Sequence, residues 1–339
     1  MRVDEFEYPL PESAIAQEAI EPRHEARLLD TRDLSDHRFL DLPSLLEPDD
    51  LVVVNDTKVR AARLLGRRVD SGGSVELLVL DARPDGLWNA LVRPARRIRP
   101  GIEIEFEGMT ACIVEGPDQG LAVVELKAAD VENAFETAGH IPLPPYFRGH
   151  LENPARYQTI FARTTGSAAA PTAGLHFTQE VVAALEARGV AMATVDLHVG
   201  IDTFRPITVS QVEDHRMHSE WYSVPEATAV AVSAARRRGA RVVAVGTTVV
   251  RTLETAANED GTVEPGSGET DLFLIPGSRM RVVDALVTNF HVPGSSLVVL
   301  LAAFMGDSWR RAYQVALDRG YRFLSFGDAM YAERSTSGT

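Results

Sequence analysis

Three polar clusters lie close together in the chain, each in apolar surroundings. They span residues 170–177, 197–206 and 213–220, and they hold four of the nine histidines. Gly and Pro set unusual backbone turns beside these histidines, and loops of this composition hold titratable groups against a ligand. The pattern indicates an enzyme whose site includes these loops.

The third cluster raises the question of a metal, because His215 and His218 would share one face of a helix. Their spacing matches neither the HExxH nor the EF-hand pattern, and no cysteine supports a zinc site. We therefore predict no metal and favour a general acid/base or substrate-orienting role for both residues. A structural histidine bonded to a neighbouring loop is the alternative.

Other residues of suitable chemistry lie outside these histidine pairs. The segment Gly246-Thr247-Thr248 offers N–H groups and hydroxyls that suit a carboxylate or phosphate, although a threonine there could serve only as a helix cap. Thr172 and Gly174 form a small-residue turn that would admit a ligand, although the glycine could meet a backbone requirement alone. Further candidates for ligand contact are His176, His198, Gly200, Asn289, His291 and Asp328.

The elements that must position these groups alternate in type. We predict strands over residues 51–54, 191–197, 241–245, 281–287 and 321–326, and helices over 181–189, 227–238, 247–254 and 297–304. Such alternation implies a mostly parallel sheet with helical crossovers. Five polar clusters follow these strands, and ligands bind at that end of parallel strands. A barrel-like arrangement gathers the clusters most economically, and an open sheet is also compatible.

The middle of the chain has a different pattern. Residues 102–107 alternate apolar and acidic positions, which is typical of a strand with one wet face, and further short strands separated by Gly and Pro follow. We predict a small all-β domain over residues 59–151, inserted into an α/β domain made of residues 1–58 and 152–339.

Composition narrows the functional class. One cysteine, Cys112, excludes an internal disulfide and favours the cytoplasm, and the longest apolar run, 297–305, is too short for a membrane span. The net charge is −14, yet residues 58–100 hold nine Arg and one Lys against four acidic residues. These arginines could form a patch that contacts phosphates. The GxGxxG, GxxxxGK[ST] and GxSxG motifs are absent.

Taken together, the clusters resemble the S-adenosylmethionine:tRNA ribosyltransferase-isomerase family of queuosine biosynthesis over nearly the whole chain. The segments that carry the resemblance are residues 8–17, 51–60, 140–146, 156–159, 169–177, 198–200, 214–220, 245–248, 270–273, 283–291 and 321–330.

The resemblance implies a barrel-like α/β domain interrupted by a small β-barrel. It also implies transfer and isomerisation of the ribosyl part of S-adenosylmethionine onto 7-aminomethyl-7-deazaguanine (preQ1) at the tRNA wobble position, giving epoxyqueuosine, adenine and methionine. S-adenosylmethionine would be a consumed substrate, so no cofactor is expected. The expected partner is tRNA carrying preQ1, and we expect a cytoplasmic monomer.

We assign roles from the chemistry that this reaction needs, since the resemblance does not assign them. Proton transfer is assigned to His215, His218 and His176, with Asp214 and Glu220 orienting them or facing the sulfonium. Thr247, Thr248, Asn289 and His291 would hold the methionine or ribose portion. The candidates for tRNA contact are Arg60, Arg63, Arg67, Arg96, Arg97 and Tyr146.

One residue departs from the family pattern. Asp202 stands where a glycine is expected in the loop that follows His198. A diverged paralogue that binds RNA or a nucleoside without turnover is therefore the alternative to the enzyme. A metal hydrolase built on His215 and His218 is a third hypothesis, and it would require stoichiometric metal in the purified protein.

Overall fold

The computed structural model describes residues 1–149, 151, 153–200 and 206–335. Contacts between residues divide the chain into two compact units. The first comprises residues 1–57, 144–164 and 170–339, and the second comprises residues 58–143 and 165–169. The predicted insertion over residues 59–151 stays a prediction, while the contacts assign residues 144–164 to the first unit.

The described residues form short helices and strands throughout. The strands are β1 (Arg27–Asp30), β2 (Ser35–Arg38), β3 (Leu51–Asn55), β4 (Thr57–Val59), β5 (Arg63–Arg68), β6 (Ser74–Ala82), β7 (Trp88–Arg93), β8 (Glu103–Phe106), β9 (Met109–Asp118), β10 (Leu121–Lys127), β11 (Gly139–His140), β12 (Thr164–Ser167), β13 (Ala191–Leu197), β14 (Glu220–Val224), β15 (Val242–Val245), β16 (Gly266–Thr270), β17 (Ala285–Asn289) and β18 (Ala329–Glu333).

The α-helices are α1 (Leu42–Leu45), α2 (Val131–Ala138), α3 (Gln179–Ala187), α4 (Glu226–Arg238), α5 (Thr247–Thr255), α6 (Ser296–Met305) and α7 (Ser308–Asp318). The 3-10 helices are Val3–Phe6, Glu12–Ala14, Arg23–Glu25, Phe39–Asp41, Ala95–Arg97, Pro154–Tyr157, Thr172–His176 and Val212–Asp214. None of the helices in the described ranges has both the length and the apolar character needed to cross a membrane.

The first unit is built on a mixed sheet with the strand order β16-β14-β13-β3-β15-β17-β18-β1-β2. Its centre is a block of adjacent parallel strands, β13, β3, β15 and β17. The remaining strands join this block through antiparallel pairs, except that β18 and β1 pair in parallel. The expectation of a mostly parallel sheet is therefore wrong outside the central block.

The central strands β3 and β15 are almost entirely apolar and buried because both faces of the sheet are covered. Along β3, Leu51 and Val53 join one core cluster, with helices α4 to α7, and Val52 and Val54 join the other, with α1 and α3. Residues of β15 alternate in the same way. This period of two is the pattern of a strand that packs on both sides.

The second unit is a small antiparallel barrel. Its strands pair in the order β5-β6-β7-β10-β9-β8, a pairing between β5 and β8 closes the circle, and β11 adds to β5. Leu64, Leu77 and Ile104 are among the fully buried side chains of its core. The predicted fold class, an α/β domain interrupted by a small all-β barrel, is confirmed.

Two strand predictions need correction. The strand predicted over 281–287 begins only at Ala285, because the N–H groups of residues 281–283 bind the buried carboxylate of Glu254 at 2.7, 3.0 and 2.9 Å. The strand predicted over 321–326 does not form: Phe323 makes an isolated bridge to Ile15, and Leu324 has a φ of 69°, in the left-handed region. A β-strand cannot continue through that conformation.

Variants of Glu254 test whether its carboxylate stabilises the segment that leads into β17. Replacing it with alanine (E254A) leaves three main-chain N–H groups without their acceptor, which should lower the free energy of unfolding by about 3 kcal/mol. The matched variant E254Q keeps one acceptor oxygen and should lose about half as much. Urea unfolding measures both, and equal losses for E254A and E254Q would contradict this role for the carboxylate.

Candidate active site

An open cavity of about 560 Å³ lies at the carboxyl edge of the central parallel strands. This edge is where parallel α/β sheets bind ligands. The residues that line it are Tyr146, Ala170, Pro171, Thr172, Ala173, Val199, Gly246, Thr247, Thr248, Thr288, Asn289, Phe290, His291, Val292, Ser295, Leu297, Leu324 and Ser325.

The structure brings together part of the predicted ligand-binding set at this cavity. The members that line it are Thr172, Gly246, Thr247, Thr248, Asn289 and His291. These residues lie close together because β15 and β17 end at the same edge of the sheet, so the segments that follow them begin there. The 3-10 helix Thr172–His176 packs against β17 and brings Thr172 to the same place. Gly174, His198, Gly200 and Asp328 do not line the cavity.

Asn289 connects several of these groups. Its Oδ1 accepts a hydrogen bond from the Thr172 hydroxyl at 2.9 Å. Its Nδ2 lies 3.1 Å from His176 Nε2 and donates to the carbonyl of Asp328 at 3.3 Å. An amide nitrogen only donates, so Nε2 of His176 accepts this bond and the ring carries its proton on Nδ1.

His176 is buried and stacks on Phe39, with 4.9 Å between the ring centroids. Burial first, and then the positive charges of Arg156, Arg322 and Arg23, lower the pKa of His176 to about 3. The ring is therefore neutral at pH 7 and is a poor acceptor for a catalytic proton. We interpret His176 as a positioning residue that fixes the amide of Asn289, in place of the proton-transfer role expected from the sequence.

His291 has a similar environment. Its Nε2 lies 3.1 Å from the Thr288 hydroxyl, its N–H donates to Tyr313 at 2.9 Å, and its carbonyl accepts a bond from the Tyr8 hydroxyl. Burial lowers the pKa of His291 to about 3. His291 thus gives the cavity one neutral imidazole, held through both its ring and its backbone.

The first turn of α5 reaches the cavity through Gly246, which has a φ of 91° and precedes the helix as its N-cap residue. Glycine tolerates this conformation, which strains other residues. Neither Thr247 nor Thr248 occupies the cap position, so the helix-cap explanation for these threonines does not apply. Asn55 donates to the Thr248 hydroxyl at 3.4 Å and to the Leu197 carbonyl at 3.0 Å, which connects the ends of β3 and β13 to α5.

Tyr146 lines the cavity as well, and its hydroxyl bonds Ser325 at 2.5 Å. Burial raises the pKa of Tyr146 to about 12. Among the described residues that line the cavity, none has a carboxylate, ammonium or guanidinium group. Hydroxyls, one amide and a neutral imidazole therefore supply its side-chain polarity, and these are groups that suit uncharged polar parts of a ligand.

The predicted acid/base residues of the third cluster lie elsewhere. His218 and Asp214 are exposed, and His215 is half-buried with its ring 5.2 Å from that of Phe273. Burial and the neighbouring His218 lower the pKa of His215. None of these three residues lines the cavity. The acid/base role of these residues stays a prediction.

The Glu220 side chain is bonded to other groups within the protein. Its carboxylate is buried, accepts the N–H of Gly200 at 2.7 Å and pairs with the buried guanidinium of Arg251. Arg251 also donates to the carbonyls of Thr270 and Leu272 at 3.2 and 3.0 Å. This pair fixes the start of the loop after His198. Residue 202, where the sequence departs from the family pattern, lies outside the described residues.

Asp328 and Gly174, which were also predicted to contact a ligand, make contacts within the protein. Asp328 is buried, and its carboxylate accepts the N–H groups of Arg27 and Arg322 at 3.0 and 2.8 Å, so it is turned away from the cavity. A Cβ on Gly174 would lie only 3.0 Å from Cγ2 of Thr159. Close packing is therefore one reason for a glycine here, and its role in ligand contact stays a prediction.

The predicted residue His198 directly precedes the cavity residue Val199, and its partner Asp196 was overlooked by sequence reasoning. Asp196 is buried on β13, and its Oδ2 lies 3.6 Å from Nε2 of His198. Asp196 Oδ1 and His198 Nε2 are buried without a hydrogen-bond partner. Burial and the charge of Asp196 raise the pKa of nearby Asp56. A lone carboxylate inside an apolar strand was the available signal.

The arginines predicted to contact tRNA belong to the second unit. Arg60 pairs with Glu132 at 2.8 Å, and Arg63 pairs with Glu76 at 2.8 Å. Arg67, Arg96 and Arg97 are exposed. Arg68 donates to the carbonyl of Arg97 at 3.0 Å, which brings the two arginine groups of the sequence into contact. The role in tRNA binding stays a prediction.

The absence of a metal also stays a prediction. Among the residues that the structure describes, no group of three or more His, Cys, Asp or Glu side chains is arranged to hold a metal ion.

The fold is that of an α/β protein with a cavity at the end of its parallel strands, where enzymes of this fold class bind small molecules. A model of the family described as queuosine biosynthesis protein matches residues 3–332. The chain therefore belongs to the queuosine biosynthesis protein family.

Relatives within the family carry an enzyme name. Proteins named S-adenosylmethionine:tRNA ribosyltransferase-isomerase from Symbiobacterium thermophilum and Moorella thermoacetica are 50% and 48% identical to this chain, with 97% of this chain and 99% of each relative covered. The crystal structure of S-adenosylmethionine tRNA ribosyltransferase from Thermotoga maritima is also similar, with 37% identity and a TM-score of 0.55. That match covers 96% of this chain and 99% of the other.

The two buried histidines predict how stability depends on pH. Their pKa values of about 3 lie below the ordinary value of 6.5, so the unfolded chain binds protons that the folded chain does not as the pH falls from 6.5 towards 3. Each histidine should then cost about 1.4 kcal/mol of stability per pH unit.

Urea unfolding of the wild type, H176Q and H291Q at pH 6.5 and 5 measures this effect. Each variant should lose about 2 kcal/mol less than the wild type over this interval, because one buried titrating ring is gone while the carboxylates are unchanged. A variant with the wild-type loss would show that its histidine is protonated in the folded state.

Proposed function

We propose that this protein transfers and isomerises the ribosyl part of S-adenosylmethionine onto preQ1 at the wobble position of tRNA, releasing adenine and methionine and leaving epoxyqueuosine. The names of its relatives support ribosyl transfer to tRNA. The single structural observation that supports it best is the cavity of neutral hydrogen-bonding groups centred on Asn289. S-adenosylmethionine is a consumed substrate in this proposal, so the enzyme needs no cofactor and acts as a monomer in the cytoplasm.

The ribose is the part of the ligand that suits these groups. Its hydroxyls both donate and accept, and Thr172, Asn289 and the neutral ring of His291 offer both functions. Because His176 is neutral, the amide of Asn289 is held without a positive charge beside the sulfonium of the donor. A charged histidine at this place would repel that cation.

The methionine end has an anionic carboxylate. The first turn of α5, at Gly246 and Thr247, and the start of α6, at Ser295, both line the cavity. Free N–H groups and the helix dipole favour an anion at a helix N-terminus. We place the carboxylate at the start of α5, where the Thr247 and Thr248 hydroxyls are also available.

Proton transfer needs a base near the carbon beside the sulfonium. We propose Asp196 and His198 for this role, in preference to His215 and His218, because His198 directly precedes the lining residue Val199 and both side chains have an unpartnered polar atom. The tRNA would be contacted by the exposed Arg67, Arg96 and Arg97.

The reaction itself is the test of this function. Purified protein is incubated with tRNA carrying preQ1 and with S-adenosylmethionine labelled with carbon-13 in the ribose, and the nucleosides are analysed by mass spectrometry. We expect epoxyqueuosine that carries the five labelled carbons, together with free adenine. Donor labelled only in the methyl group should leave the product mass unchanged.

A matched control uses tRNA with guanine at the wobble position and should give no product. If the folded protein bound S-adenosylmethionine and tRNA but formed no product, it would be a diverged paralogue that binds without turnover.

The assignment of the base predicts a ranking of histidine variants. H198Q should lower kcat by about 100-fold or more, since general base catalysis contributes factors of that size. H37Q, which changes a half-buried histidine bonded to Ser35 on β2, should remain within about twofold of the wild type. Single-turnover rates at saturating substrates measure this. A larger loss for H218Q than for H198Q would return proton transfer to the cluster expected from the sequence.

A further inference from the structure

A second cavity, of about 250 Å³, adjoins the first within the same unit. Ser325 lines both, and the hydrogen bond between His176 and Asn289 separates them, since His176 lines the second cavity and Asn289 lines the first. Three arginines also line the second cavity: Arg23, Arg156 and Arg322. The side chains of His176 and Asn289 therefore separate the first cavity from the three positively charged arginines of the second.

The three guanidinium groups are oriented by the backbone. Each donates to a main-chain carbonyl: Arg23 to Gln158 at 2.7 Å, Arg156 to Ile20 at 2.6 Å and Arg322 to Glu18 at 3.1 Å. A carbonyl group orients a guanidinium by accepting its hydrogen bond, but it does not neutralise the positive charge. These contacts hold the arginines in position for a further, charged partner.

Carboxylates neutralise the positive charge of the three arginines only in part. Arg156 pairs with Glu21, whose side chain is 66% exposed. Arg322 has Asp328 at 3.7 Å, but each oxygen of Asp328 already accepts a main-chain N–H. Within the described ranges, Arg23 has no carboxylate at ion-pair distance, and Nη2 of Arg322 is buried without a hydrogen bond.

The electrostatic consequences agree with this geometry. Burial and the neighbouring Arg156 lower the pKa of Arg23, so the two guanidinium groups repel each other. All three arginines contribute to the lowered pKa of His176. A protein places like charges together where a ligand of opposite charge binds.

We propose that this second cavity binds one phosphate group of the tRNA strand, next to the nucleotide whose base is modified in the first cavity. The inference rests on the proposed function, which supplies a polynucleotide substrate. A phosphodiester offers two charged oxygens, and planar guanidinium forks bind such oxygens in pairs. A strand that brings its base to the first cavity carries a phosphate on each side of that nucleotide.

Arg322 is the residue to change, because its guanidinium makes a single hydrogen bond to the described part of the chain. The variant R322Q is compared with R38Q, which has matching contacts: Arg38 donates to the Glu25 carbonyl at 2.9 Å and lies 3.8 Å from the Glu25 carboxylate. The charge-retaining variant R322K is included. Affinity for a fluorescent tRNA is measured by anisotropy at several salt concentrations, and S-adenosylmethionine affinity is measured by calorimetry.

We expect R322Q to weaken tRNA binding about tenfold and to reduce the slope of log K against log salt by about 0.7, the value for one phosphate contact on a single strand. R38Q should match the wild type, R322K should recover most of the loss, and affinity for S-adenosylmethionine should be unchanged in all of them. Inorganic phosphate, titrated at constant ionic strength, should compete with tRNA only weakly, because a single phosphate lacks the other contacts of the strand.

Two results would overturn the proposal. If R322Q weakened S-adenosylmethionine and left tRNA binding intact, the cavity would hold the methionine carboxylate. If inorganic phosphate bound the wild type tightly and R322Q changed only that binding, the site would serve free phosphate. Equal melting temperatures for R322Q and R38Q show that the fold is retained. The binding experiment needs no turnover, so failure of the proposed reaction and failure of the phosphate site are separate outcomes.

Discussion

The site depends on one topological constraint, the parallel alignment of β13, β3, β15 and β17 at the centre of the sheet. Parallel neighbours end at the same edge, so the segments that follow them converge without any specific attraction between their polar residues. Asn55 strengthens this edge by bonding the backbone of Leu197 and the hydroxyl of Thr248. The apolar faces of the same strands supply the burial that keeps the edge in register.

Burial then determines the chemistry of the cavity. His176 and His291 have lost most of their contact with water, and their pKa values of about 3 keep both rings neutral. A neutral ring can accept the bond from Asn289, and Asn289 in turn orients the Thr172 hydroxyl. The described lining residues of the cavity therefore offer hydrogen bonds but no charged side chain. Three arginines line the neighbouring cavity with His176, and the Asp196 carboxylate lies beside His198.

Sequence patterns predicted the framework well because strand periodicity and helix stops are local properties. The strand 191–197, the glycine that ends α4 and the polar segments after β3, β13, β15 and β17 were all found in this way. The failures arose from long-range contacts. Glu254 binds the N–H groups that the start of the predicted strand 281–287 would need, and Ile15 bridges Phe323 where another strand was expected.

Site residues were harder to predict than elements, for a physical reason. Composition shows which side chains have suitable chemistry, but burial and hydrogen bonding decide their use. His176 and His215 have the same side chain, yet one is buried against Asn289 at the cavity and the other stands half-buried beside Phe273. Asp196 was overlooked because one carboxylate in a strand carries no motif. The family resemblance, which rests on many ordered segments, was more secure than any single residue role.

The central claim is that the cavity around Asn289 holds S-adenosylmethionine with its ribose against neutral hydrogen-bonding groups. A crystal structure of the protein with S-adenosylmethionine bound tests it most directly. The account predicts ribose hydroxyls within hydrogen-bonding distance of Thr172, Asn289 or His291 and the methionine carboxylate at the start of α5. S-adenosylmethionine bound elsewhere, with this cavity empty, would contradict it.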